Sequence, residues 1–81
     1  MGGREYSEEE KQQAIDLALE LKRKMERYYP EAPDADRIAE MQAIRDTLEQ
    51  MGFVVETKVS LDVETLSCTA DVTLWLPKVI H

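Results

Sequence analysis

In FVVETKVSLDVETLSCTADVTLWL, residues 53–76, side-chain character alternates with a period of two, the signature of half-buried β-strands. Phe53, Val55, Thr57, Val59, Leu61 and Val63 fall on one face, and Val54, Glu56, Lys58, Ser60 and Asp62 on the other. The alternation returns with Leu66, Cys68, Ala70, Val72, Leu74 and Leu76 against Ser67, Thr69, Asp71, Thr73 and Trp75, until Pro77 ends the run. Two half-buried strands, 53–63 and 66–76, follow from this pattern. Folding them about Glu64-Thr65 places Leu61 opposite Cys68, Val59 opposite Ala70 and Val55 opposite Leu74, so the apolar positions coincide. The same register sets Lys58 opposite Asp71 and Val54 opposite Trp75 on the outer face. Glu-Thr is a poor type I′ turn, so a loop over Val63 to Leu66 in that register is the better expectation.

Upstream of the hairpin the period is helical. Ser7 followed by Glu8, Glu9 and Glu10 reads as a capping box that opens a helix over 7–29. Its apolar stripe is Ala14, Leu17, Ala18, Leu21, Met25 and Tyr28, and Pro30 stops it. Ile15 and Leu19 lie beside this stripe and widen it beyond the ~100° arc that one packing partner covers. Asp34 or Asp36 caps a second helix over 34–51, carrying Ile38, Met41, Ile44, Leu48 and Met51. Gly52 suits the left-handed position after it, with Phe53 reaching back to Leu48. The short connector makes the helices an antiparallel pair.

The expected fold is therefore α+β in one domain spanning 1–81: an antiparallel helix pair, then a two-stranded antiparallel hairpin, with both helices on one sheet face. Residues 1–6 read as a flexible N-terminus and 77–81 as a tail. A lone two-stranded hairpin is marginal in water. The helices can cover the inner face, but on this reading they leave both strand edges without hydrogen-bond partners. Pairing of two copies edge to edge, giving a four-stranded sheet backed by four helices, is the expected remedy, and it would also use the surplus arc at Ile15 and Leu19.

Composition narrows the function. Among 81 residues, 43% are apolar and 33% charged, as in a globular protein. Seventeen acidic against ten basic side chains give a net charge of −7, which opposes non-specific attraction to nucleic acid or anionic membranes. No apolar run approaches the length of a membrane span, and the N-terminus lacks the apolar stretch of a secretion signal, so the expected location is the cytoplasm. Cys68, the lone cysteine, rules out an internal disulfide, and no Cys/His array is present for a structural zinc.

The catalytic inventory is thin. Cys68 is on the inward face of its strand and reads as a small buried hydrophobe. His81 is the only imidazole and stands at the end of the chain. Acids gather at Asp34, Asp36 and Glu40 and again at Asp62 and Glu64, but helix capping and the helix dipole account for the first group, and neither spacing is that of a calcium loop. No catalytic, cofactor or metal residues are assigned, and a carboxylate-held metal enzyme is the least favoured reading.

Two surfaces remain. Trp75 is turned to the polar face by the alternation that buries Leu74 and Leu76; it packs on Val54 and the Lys58 stem, or anchors a partner. With Ile15 and Leu19, these residues form the expected partner-binding set. The second surface is the basic end of the first helix, Lys22, Arg23, Lys24, Arg27, Tyr28 and Tyr29, which could meet phosphates and bases. The favoured expectation is a small acidic non-catalytic interaction or regulatory module, homodimeric through sheet edges, with an unidentified protein as further partner. The alternatives are nucleic-acid binding through the basic helix end, or an acidic surface that imitates nucleic acid and blocks a nucleic-acid-binding protein.

Overall fold

The computed structural model describes residues 6–76. The element order is α1 (Glu8–Tyr28), a single 3₁₀ turn (Tyr29–Glu31), α2 (Ala35–Gln50), β1 (Val54–Asp62) and β2 (Ser67–Trp75). This is the α+β arrangement of a helix pair followed by an antiparallel hairpin, with α1 lying chiefly against β2 and α2 against β1. The tail assigned to 77–81, His81 within it, lies outside the described residues, as do residues 1–5.

Local chemistry sets each boundary. The Ser7 hydroxyl accepts from the Glu10 amide at 3.1 Å while the Glu10 carboxylate accepts from the Ser7 amide at 3.2 Å, closing the capping box. The Asp34 carboxylate accepts from the Arg37 amide at 2.9 Å and starts α2. At the far end of α2, Gly52 donates to Glu49 O at 2.9 Å and Phe53 to Leu48 O at 3.2 Å, the two bonds of a Schellman ending. Gly52 has φ +102, and a Cβ placed there would stand 2.5 Å from Tyr6 Oη, so both conformation and space require glycine.

The hairpin has the expected register: Val54↔Trp75, Val55↔Leu74, Lys58↔Asp71, Val59↔Ala70 and Leu61↔Cys68. Its loop is Val63 to Leu66, held by Asp62, whose carboxylate accepts from the Glu64 amide at 3.0 Å. Leu66 closes the loop at φ 56, in the left-handed region.

The core joins both helices to the inner sheet face through Ala14, Leu21, Met25, Met41, Ile44, Leu48, Val55 and Ala70, and Leu48 is fully buried. Cover fails toward the loop. Val55 and Ala70 are buried, Val59 and Cys68 partly so, and Leu61 is 59% exposed. The overhang makes the molecule long, 50 × 24 × 22 Å with a radius of gyration of 14.7 Å, against about 12 Å for a compact chain of this length.

Three expectations are corrected. Tyr6, read as the end of a flexible segment, is anchored: its hydroxyl donates to Met51 O at 2.6 Å and its ring stacks on Phe53 at 4.9 Å. Ile38, read as part of the buried stripe of α2, is half exposed, because α2 is rolled so that Met41, Ile44 and Leu48 face inward. Finally, the helices do reach the strand edges, through one side chain each.

Candidate interaction surface

In an antiparallel ladder, residues alternate between pairs that exchange hydrogen bonds across the strands and pairs whose N–H and C=O point away to the edges. The Ala70 amide donates to the Glu26 carboxylate of α1 at 2.9 Å, so Ala70 and Val59 form a pair of the second kind. Val55 has the same parity, and its carbonyl receives Arg45 of α2 at 3.5 Å. The inward-facing residues Val55, Thr57, Val59 and Leu61 therefore also direct their backbone groups to the outer edge of β1. Cys68, Ala70, Val72 and Leu74 do so on β2.

The two edges are guarded unequally. On β2 a carboxylate takes an edge amide in a short charge-assisted bond, and the Lys22 ammonium holds that carboxylate at 2.7 Å. The Lys22 bond first, and the Ala70 amide second, keep the Glu26 carboxyl below its ordinary value of 4.5. A charge fixed on an edge is a common protein device against strand addition. On β1, Arg45 makes only a long contact to one carbonyl, and its Nε is bonded to Glu49 at 3.1 Å. The amides of Thr57, Val59 and Leu61 have no helix side chain bonded to them among the described residues.

Each edge is bordered by a helix strip. Ile15, Leu19, Lys22 and Glu26 share one line of α1, at spacings of four, three and four, on the side that reaches β2. Ile15 and Leu19 on it are both half exposed. Ile38, Gln42, Arg45 and Glu49 form the equivalent line of α2 beside β1. Between α1, α2 and β1 lies a groove of about 80 Å³ lined by Leu21, Met25, Tyr29, Ile38, Met41 and Thr57.

Among the described residues, no helix covers the outer sheet face. Its one apolar site is the Val54–Trp75 pair, 39% and 46% exposed, at the end away from the loop. Lys58 and Asp71 stand opposite each other on that face, both exposed, and among the described residues neither makes an ion pair within 4 Å. The expected charge pair is thus one of position only.

The basic end of α1 is spread out. Lys22 is engaged with Glu26, and Lys24 lies 3.9 Å from Glu20 and 5.8 Å from the centre of the Tyr28 ring. The Tyr28 hydroxyl donates to Glu40 at 3.0 Å, and Arg37 covers its ring at 5.4 Å. Arg23 and Arg27 line a shallow surface depression with Lys24 and Tyr28, while Tyr29 turns to the groove on the other side of the helix. The six residues do not form one continuous platform.

Chemically, the described residues bring no group of three or more His, Cys, Asp or Glu close enough to hold a metal ion, and Cys68 is a half-buried free thiol. No helix among them is long and apolar enough to cross a membrane. Glu26 and Arg45 as edge residues were not found from the sequence; in the structure each also belongs to an i,i+4 pair, Lys22–Glu26 and Arg45–Glu49, and that local spacing carries no sign of the strand contact. Comparisons with protein-family models, with curated proteins and with solved structures find no match to this chain.

Proposed function

We propose that this chain is a small, acidic, non-catalytic interaction module that recruits other proteins through its sheet and works in the cytoplasm. The observation that carries the reading is the exposed Val54–Trp75 pair on a sheet face that none of the described helices covers. A tryptophan costs little conformational entropy to immobilise and brings a large apolar surface, which is why such residues anchor interfaces. The polar surroundings of the pair, Glu56, Lys58, Asp71 and Thr73, supply the rim that a protein partner requires. The free thiol of Cys68 suits a reducing compartment.

The test is affinity capture from the native host with the wild type and Trp75→Ala in parallel. The reading expects a host protein, distinct from the bait, that is retained by the wild type and lost with Trp75→Ala. Recovery of the chain alone, or a captured partner indifferent to Trp75, contradicts it.

A further inference from the structure

We infer that a second copy of this chain adds to the free edge of β1, antiparallel and centred on Thr57, so that two hairpins join into one four-stranded sheet. This rests on the interaction reading above and specifies its first partner. Three observations select the edge and the register.

The first is the inequality of the edges. Strand addition at β2 would have to displace the Glu26 carboxylate from the Ala70 amide and would bring two such carboxylates together across a dyad. Among the described residues, addition at β1 displaces only the long Arg45 contact to Val55 O, and Arg45 keeps its bond to Glu49.

The second is charge. A dyad centred on Lys58 sets Lys58 opposite Lys58 of the second copy, and one centred on Val59 sets Glu56 opposite Asp62. A dyad on Thr57 sets Glu56 opposite Lys58, and symmetry makes that pair twice. Of these registers, each overlapping most of the strand, it alone places opposite charges face to face, and it uses a lysine that makes no ion pair among the described residues.

The third is the overhang. In the Thr57 register, Val55 faces Val59 of the second copy and Leu61 faces its Phe53, so the uncovered end of each hairpin lies against the packed end of the other. The same pairing draws the two α2 strips together beneath the sheet, with the half-exposed Ile38 among them.

The edge-directed parity permits a clean experiment. The Thr57 and Val72 amides both point away from the β1–β2 ladder, so proline at either position leaves the hairpin bonds intact while blocking one edge. Sedimentation equilibrium of the full chain is expected to give a dimer for the wild type and for Val72→Pro and a monomer for Thr57→Pro, with circular dichroism verifying that each variant is folded. Independently of proline, Glu56→Lys and Lys58→Glu are each expected to weaken the dimer roughly tenfold or more, and the double exchange to restore it. A wild type that stays monomeric across its soluble range overturns the inference, as does a dimer dissolved by Val72→Pro and untouched by Thr57→Pro, or a double exchange that restores nothing. Trp75-dependent capture persisting with a monomeric wild type overturns this inference alone, whereas loss of both overturns the interaction reading with it.

Discussion

The Glu26 carboxylate accepts the backbone N–H of Ala70 at 2.9 Å, across 44 residues of chain, so a helix side chain occupies a hydrogen-bond site that a neighbouring strand would otherwise use. This bond ties α1, whose Ala14, Leu21 and Met25 are packed in the core, to the edge of the sheet and makes β2 a poorer edge than β1.

Acid weakens this link. The folded-state pKa of Glu26 is depressed, so the stability it contributes is present above its ordinary value of 4.5 and is lost as the pH falls through the lower folded value. Glu26→Gln should lower the urea midpoint near neutral pH, and the gap from the wild type should close as the pH drops below 4.5. A gap independent of pH would show that the carboxylate charge is not what the Ala70 amide and Lys22 use.

The hairpin loop stores strain at Leu66, an exposed leucine at φ 56. Leu66→Gly or Leu66→Asn should stabilise the fold by about 0.5–1 kcal/mol, raising the melting temperature by roughly 2–8 °C. Leu66→Val, with a branched Cβ in the same conformation, should lower it. Thermal melts of the three variants check the order.

Gly52 and Tyr6 form a coupled pair. Gly52→Ala should cost about 1–3 kcal/mol, from the positive φ and from the Cβ meeting the Tyr6 hydroxyl. Tyr6→Phe alone should cost about 1 kcal/mol through its bond to Met51 O. Because the second change removes the atom that the first collides with, the double variant should lose less than the sum of the two. Additive losses in denaturant melts would place Tyr6 elsewhere.

Leu48 is the pivot of the core. Projecting from α2 into the core shared with α1 and the sheet, it is fully buried, and Leu48→Ala should destabilise by about 2–5 kcal/mol. Ile38→Ala, on the half-exposed strip of α2, should cost far less in the single chain. Equal losses would mean that α2 is rolled as the periodic stripe alone suggests, with Ile38 inside.

Features built from neighbours in the chain were legible before the structure. The capping box at Ser7–Glu10, the glycine ending at Gly52 and the hairpin register each follow from local spacing, because the groups that satisfy one another lie within a few residues or are locked together by the turn. Long-range ties were not legible. Tyr6 reaches Met51 over 45 residues and Glu26 reaches Ala70 over 44; the first depends on where the start of α1 meets the end of α2, the second on how α1 is rolled against the sheet, and no periodicity encodes either. Ile38 shows the same limit: its spacing matches Met41 and Leu48, yet the roll of α2 leaves it at the groove. For the interaction surface, the exposure of Trp75 could be read from alternation, whereas the preference for one edge over the other emerged only from where Glu26 and Arg45 end.

Whether a second copy completes the β1 edge can be read from residue-resolved amide hydrogen exchange of the wild type at low and high protein concentration. The Val55, Thr57 and Val59 amides are expected to exchange rapidly in dilute solution and to become protected as concentration rises, while Ala70 is protected throughout by Glu26. If those β1 amides exchange at the same fast rate at every concentration, as the edge amide of Val72 should, the four-stranded sheet does not form and the account is wrong.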